Sequence, residues 1–216
     1  QNFLEIPFIY EEYKQIQDDK EKLKYSFNLN NARNTIVKEG LKKYDYVICS
    51  DGDLFITPSR WVEINENIQW NPTLSYYTLW HHRVTMNEVD GGIKKMTTKP
   101  LDEKCHSIEP VLIFTKKSTM FFDEGLYYND NCKTELCFRI GIEHEHYLCS
   151  STNMNNEMKI YERDNPCGKN WATAGVIYHL ALQDWEKQET DQRQRKRARE
   201  KAIKNIPLKI KEFYES

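Results

Sequence analysis

One stretch constrains this chain more than any other: Lys43-Tyr-Asp-Tyr-Val-Ile-Cys-Ser50, followed at once by Asp51-Gly52-Asp53. Tyr46 to Ser50 is a short apolar, β-rich run with the length of a buried strand. It ends in two carboxylates around one glycine. Leu54-Phe-Ile-Thr57 then leads to Pro58, where regular structure is expected to stop. An open α/β sheet places its ligand chemistry at the carboxyl ends of its strands. Two acids this close repel each other unless a positive charge sits between them, and a hard divalent cation supplies one. The competing reading is a solvated Asp-Gly turn, so the acid pair takes its meaning from the rest of the chain.

Before it, Phe8, Ile9, Tyr13 and Ile16 recur at helical spacing between Pro7 and Lys22. Leu23-Lys-Tyr-Ser-Phe27 alternates and predicts a strand, and Asn28 to Asn31 predicts a polar loop rich in helix caps. Ala32 to Lys43 repeats apolar residues at Ile36, Val37 and Leu41, the pattern of a helix packed on a sheet. Helix, strand, loop, helix and strand in that order predict βαβ units and a largely parallel sheet.

After it, Trp61 to Ile68 predicts an amphipathic helix, Thr73 to Trp80 a strand ending at His81-His82, and Asn87 to Asp102 an exposed loop or hairpin. Pro110-Val-Leu-Ile-Phe-Thr115 is a second buried strand, Cys132 to Ile142 a helix, and Gly175-Val-Ile-Tyr178 a short apolar segment that stops at His179. From Gln183 the composition shifts to charge and glutamine, predicting a long helix broken near Pro207. The expected division is an α/β domain over residues 1–182 and a charged helical tail over 183–216. A chain of 216 residues is long enough for both.

With 31 basic and 33 acidic side chains the net charge is −2, so the whole molecule is no polyanion binder and nucleic acid is not an expected partner. The block from Arg193 to Lys204 is nevertheless strongly basic, which suits peripheral contact with an acidic membrane surface. No apolar run has the length of a membrane span, and no charged leader precedes a hydrophobic segment. The six cysteines permit disulfides, but a chain this long does not need them, and Asn71 is followed by Pro72, so no glycosylation sequon is usable. These features point to reduced thiols and a cytoplasmic setting.

Four pieces now stand in order: Asn31-Ala-Arg33-Asn34, then Asp51-Gly52-Asp53, then Phe122-Asp-Glu-Gly-Leu126 with Thr134-Glu135-Leu-Cys-Phe-Arg139, and last the lone His179. From Leu23 to Leu180 this order resembles the family 2 glycosyltransferases and their relatives of the glycosyltransferase-A fold. The resemblance implies an α/β fold with a single Rossmann-like mixed sheet flanked by helices, and an enzyme that moves a sugar from a nucleotide-sugar donor, UDP-sugar favoured, to a hydroxyl of a glycan or protein with inversion. It implies donor binding by Arg33, Asn34, Asp51, Gly52 and Asp53. The metal ligands would be Asp51, Asp53 and His179, with Asp51 towards the ribose and Asp53 on the ion. Hard carboxylate oxygens suit Mn²⁺ or Mg²⁺, and an imidazole favours Mn²⁺.

Two departures from the family pattern matter. Where relatives carry Glu-Asp before x-Glu-Leu, this chain has Cys132-Lys133 before Thr134-Glu135-Leu136. The catalytic base is therefore expected at Asp130, with Glu135 as the alternative. Relatives also open with a strand, a helix and another strand, whereas one helix precedes Leu23 here. Those strands are expected upstream of Gln1, or the nucleotide pocket is built differently. Trp80 and Trp171 are candidates for stacking on acceptor sugars. Two alternatives remain open: a haloacid-dehalogenase-like phosphatase, whose motif also places Asp-x-Asp after a strand, and a non-catalytic binding module that uses the basic tail.

Overall fold

The structure, a computed structural model, describes residues 4–85, 110–126, 132–142, 170–181, 201 and 205–215. The chain divides into two compact units, one of residues 1–36, 122–132 and 183–216, the other of residues 37–121 and 133–182.

In the first unit, α1 (Tyr10–Gln15) and α2 (Asp19–Ser26) replace the expected single helix and the expected Leu23–Phe27 strand. The Asp18 carboxylate caps α2 by accepting the Glu21 N–H at 3.0 Å. Tyr25 turns its ring edge to Phe8 and donates its hydroxyl to Glu12 at 2.8 Å. Such side-chain contacts outweigh a five-residue alternation, which is a weak β signal. Residues 205–215 are helical on both sides of Pro207, where a break was expected, and Tyr214 stacks on Tyr10 with ring centroids 4.5 Å apart. The next helix, α3 (Leu29–Lys43), begins where the Asn28 side chain accepts the Asn31 N–H at 2.9 Å. Asn31-Ala-Arg33-Asn34 thus forms the opening turns of a helix and does not precede it.

The second unit holds the sheet. Its strands are β1 (Tyr46–Cys49), β2 (Leu54–Phe55), β3 (Tyr76–Thr85), β4 (Val111–Thr115) and β5 (Trp171–Ala181), in the spatial order β1-β4-β3-β5-β2. The sheet is mixed, as expected, but the largely parallel arrangement is not found: β1–β4, β3–β4 and β2–β5 are antiparallel, and β3–β5 is parallel. Strand partners are chosen by long-range packing, which local alternation does not encode.

Helices cover both faces. Val47 faces α3, and a Cβ on Gly40 of that helix would stand 2.6 Å from Val47 Cγ2, so only glycine lets helix and strand approach this closely. On the other face lies α4 (Pro58–Trp70), which starts at Thr57 as its cap, with Pro58 in its first turn. Its Ile64 and Ile68, one turn apart, join Tyr77, Leu79, Val111, Ile113, Ala174 and Ile177 in the buried core. Between Thr78 and Leu79 the β3–β5 register slips by one, leaving Ala174 as an extra residue on β5. The next residue, Gly175, has φ +153° and lies so close to α4 that an added Cβ would meet Ile64 Cγ1 at 3.0 Å.

Candidate functional site

That bulge decides which way β5 aims its last residues. Before it, Ala172 and Ala174 face the α4 side; after it, Ile177 does. Because strand side chains alternate, His179 follows Ile177 onto that face, whereas an unbulged strand would have turned it away. On β3, His81 follows Leu79 to the same face, and its ring stacks on His179 with centroids 5.6 Å apart and planes 14° from parallel.

The acids arrive on the turn that joins β1 to β2, closed by the Leu54 N–H donating to the Asp51 carbonyl at 3.3 Å. Short β2 pairs with β5 so that Leu54 stands opposite His179, and the Leu180 N–H donates to the Asp53 carbonyl at 3.0 Å. This ladder sets His179 Nε2 at 3.1 Å from Asp53 Oδ2. The other imidazole nitrogen, Nδ1, is buried without a hydrogen-bond partner among the described residues. At Gly52 nothing lies within 4 Å of the place a Cβ would take, so the backbone there is open to close approach by a ligand.

Asp51 has a different neighbour. The ammonium of Lys133, on α5 (Cys132–Ile140), contacts its Oδ2, and the side chain of Lys133 is 8% exposed against 48% for Asp51. The two acids are therefore divided, Asp53 to an imidazole and Asp51 to an ammonium. Among the described residues no three His, Cys, Asp or Glu side chains converge as an ion-binding group. Two of the three expected ligands, Asp53 and His179, stand at hydrogen-bond distance from each other. Ligand atoms about 2.1 Å from one cation and at right angles about it lie roughly 3.0 Å apart. The Asp53–His179 separation of 3.1 Å matches that spacing. Small divalent ions are commonly held by one or two protein ligands and completed by phosphate oxygens and water.

Glu135 is on the same helix as Lys133 and is buried. Arg139, one turn on, holds both of its oxygens, Nε on Oε1 and Nη2 on Oε2 at 3.0 Å, and Nη2 also donates to the Phe121 carbonyl at 2.7 Å. A carboxylate clamped in this way is held as the counter-ion of Arg139. Asp130 lies outside the described residues.

Arg33 and Asn34 belong to the other unit. Asn34 is buried, and its amide is spent on the chain at 122–124: Nδ2 donates to the Phe122 carbonyl and to Glu124 Oε1, both at 2.8 Å, and Oδ1 accepts the Phe122 N–H at 2.9 Å. The Arg33 guanidinium lies over the Phe122 ring, 5.3 Å from its centre. The two tryptophans are not brought to Asp53 and His179. Trp80 alternates with His81 and so faces the opposite side of the sheet, where its indole N–H donates to Thr173 at 3.2 Å. Trp171 starts β5, and at strand rise it stands roughly 25 Å from His179. Its indole N–H donates to the Gly141 carbonyl at 3.1 Å.

Two residues escaped the sequence reading. In the sequence His81 marks only the end of a strand, because its place beside His179 depends on the β3–β5 register. Lys133 gave a signal: a cation stands where the family pattern carries acids. In comparison with known proteins, no family model matches the chain, and no curated protein or solved structure is similar to it.

Proposed function

We propose that the chain is a metal-dependent glycosyltransferase, family 2-like and of the glycosyltransferase-A type, that moves a sugar from a nucleotide-sugar donor to a hydroxyl of a glycan or protein. The observation that carries this reading is the 3.1 Å approach of His179 Nε2 to Asp53 Oδ2 at the mouth of a strand-borne acid turn. Asp53 and His179 would hold Mn²⁺ or Mg²⁺, with the imidazole favouring Mn²⁺. When bound, such an ion neutralises the donor diphosphate as a Lewis acid.

The other roles fall to the chain's own groups. Asp51, steadied by Lys133, offers a carboxylate acceptor to the ribose hydroxyls of a UDP-sugar. The bare backbone at Gly52 admits the donor. With the Glu135 carboxylate already clamped by Arg139, Asp130 is the base that takes the acceptor proton, which suits an inverting transfer. Among the described residues no helix is long and apolar enough to cross a membrane. A cytoplasmic enzyme touching an acidic membrane through the basic block at 193–204 is consistent with that.

One observation favours a second reading. The Lys133 ammonium on Asp51 would also steady a carboxylate nucleophile of a haloacid-dehalogenase-like phosphatase. Leu54-Phe55 stand where that motif carries Thr or Val, and the reading leaves the Asp53–His179 pair without a task. The deciding experiment is a thermal-shift screen of nucleotide sugars with and without Mn²⁺ on the wild type and Asp53→Ala, since only a ligand that prefers the folded state raises the transition.

A further inference from the structure

We propose that the first unit carries a second binding site, for a small organic cation: a free ammonium ion with an apolar body. The site is a cavity of about 570 Å³ within residues 6–32, a volume usual for small-molecule sites. Ile6, Phe8 and Ile9 line it from the N-terminal segment, and Tyr25 and Phe27 from the end of α2. Ile6, Ile9 and Phe27 are exposed, so the cavity gathers apolar surface that a ligand would cover. Tyr25 ties its parts together: the hydroxyl accepts the Ile9 N–H at 3.4 Å and donates to Glu12 Oε2 at 2.8 Å. The rings of Phe8 and Tyr25 stand 5.5 Å apart with their planes at 68°, giving the cavity two aromatic walls of different orientation.

The charge of the ligand follows from Glu12. The described residues that line the cavity include this carboxylate and no lysine, arginine or histidine. Among the described residues no basic side chain pairs with Glu12, so its charge is open to a ligand. A neutral apolar molecule would gain the walls but strip water from a carboxylate without replacing it. An organic ammonium ion uses both, because aromatic faces attract a cation and the carboxylate completes its counter-charge. A nucleoside diphosphate would be repelled, which separates this cavity from the donor site proposed above; the inference does not depend on that reading.

The test is a titration of the intact chain, followed by its backbone amide resonances, with choline, with its neutral isostere dimethylbutanol, and with benzyltrimethylammonium. Both cations are expected to give saturable shifts at residues 25–32, benzyltrimethylammonium the more tightly, and dimethylbutanol to bind about tenfold more weakly than choline. Glu12→Gln should weaken benzyltrimethylammonium about fivefold and Phe27→Leu about threefold, each at an exposed position where the fold tolerates the change. No saturable shift with either cation, shifts confined to other residues, equal binding of choline and dimethylbutanol, or an unaffected Glu12→Gln protein overturns the inference. Phosphatidylcholine vesicles at equal headgroup concentration are expected to leave these amides unmoved. If the vesicles shift them, the cation belongs to a lipid surface and the free ligand is refuted.

Discussion

Replacing Gly175 by alanine tests how the fold aims His179. The backbone there has φ +153°, a conformation that L-residues rarely adopt, and the added Cβ would meet Ile64 Cγ1 at 3.0 Å. Ile64 is fully buried in the α4 face of the core and has little room to retreat. Backbone strain of this kind amounts to about 1–3 kcal/mol. Crowding a packed core by one methyl adds about 1 kcal/mol at the low end of the overpacking range. Together they predict a loss of about 2–4 kcal/mol in urea unfolding at unchanged m-value, or a fall in Tm of roughly 5–15 °C for a chain of this size. The same substitution should move the imidazole resonances of His179, because the bulge that puts it beside Asp53 depends on this glycine. A Gly175→Ala protein within about 0.5 kcal/mol of wild type, with an unchanged His179 spectrum, would refute the reasoning, since that is the range of a featureless surface change.

Asn34→Ala removes three hydrogen bonds from a buried amide and strands the Phe122 N–H and carbonyl. At about 1–3 kcal/mol per buried unsatisfied group, denaturant unfolding should show a loss of roughly 2–5 kcal/mol; an unaffected midpoint would mean that the amide is not the clamp described. Glu135→Gln removes the carboxylate charge from its pair with Arg139, and breaking a buried pair in this way predicts a loss of about 3–5 kcal/mol. Asp130→Asn should instead leave both stability and donor binding intact while abolishing transfer. A stable but inactive Glu135→Gln protein, beside a fully active Asp130→Asn protein, would reverse the assignment of the base.

Where the sequence was legible, the reason was local chemistry. Helix α3 announces itself through Asn28 and the spacing of Val37 and Leu41, and α4 through the amphipathic run from Trp61 to Ile68, although the helix begins three residues earlier, at Pro58, where a stop was expected. Strands β1 and β4 stand out as compact apolar runs. Leu23 to Phe27 misled because five alternating residues also fit a helical turn, and Asp18 had already supplied the cap of α2. The parallel sheet was inferred from element order alone, yet β4 inserts antiparallel between β1 and β3. That choice of partners is made by long-range contacts. At the site, the residue types were visible and the pairings were not. His179 reaches Asp53 only through the β2–β5 register and a bulge that leaves a single glycine as its trace. The division of the acid pair, with Asp51 held by Lys133, was foreshadowed only by a basic residue in an acidic motif.

The most direct test of the proposed function is the thermal shift of the intact chain with nucleotide sugars, measured with and without Mn²⁺. A metal-dependent glycosyltransferase predicts a rise in Tm that needs one nucleotide sugar and Mn²⁺ together, and that disappears in Asp53→Ala. A ligand present at a hundred times its Kd should stabilise the wild type by about 2.7 kcal/mol, well within the resolution of the method. No shift with any nucleotide sugar in the presence of Mn²⁺, or an equal shift in Asp53→Ala, would contradict it.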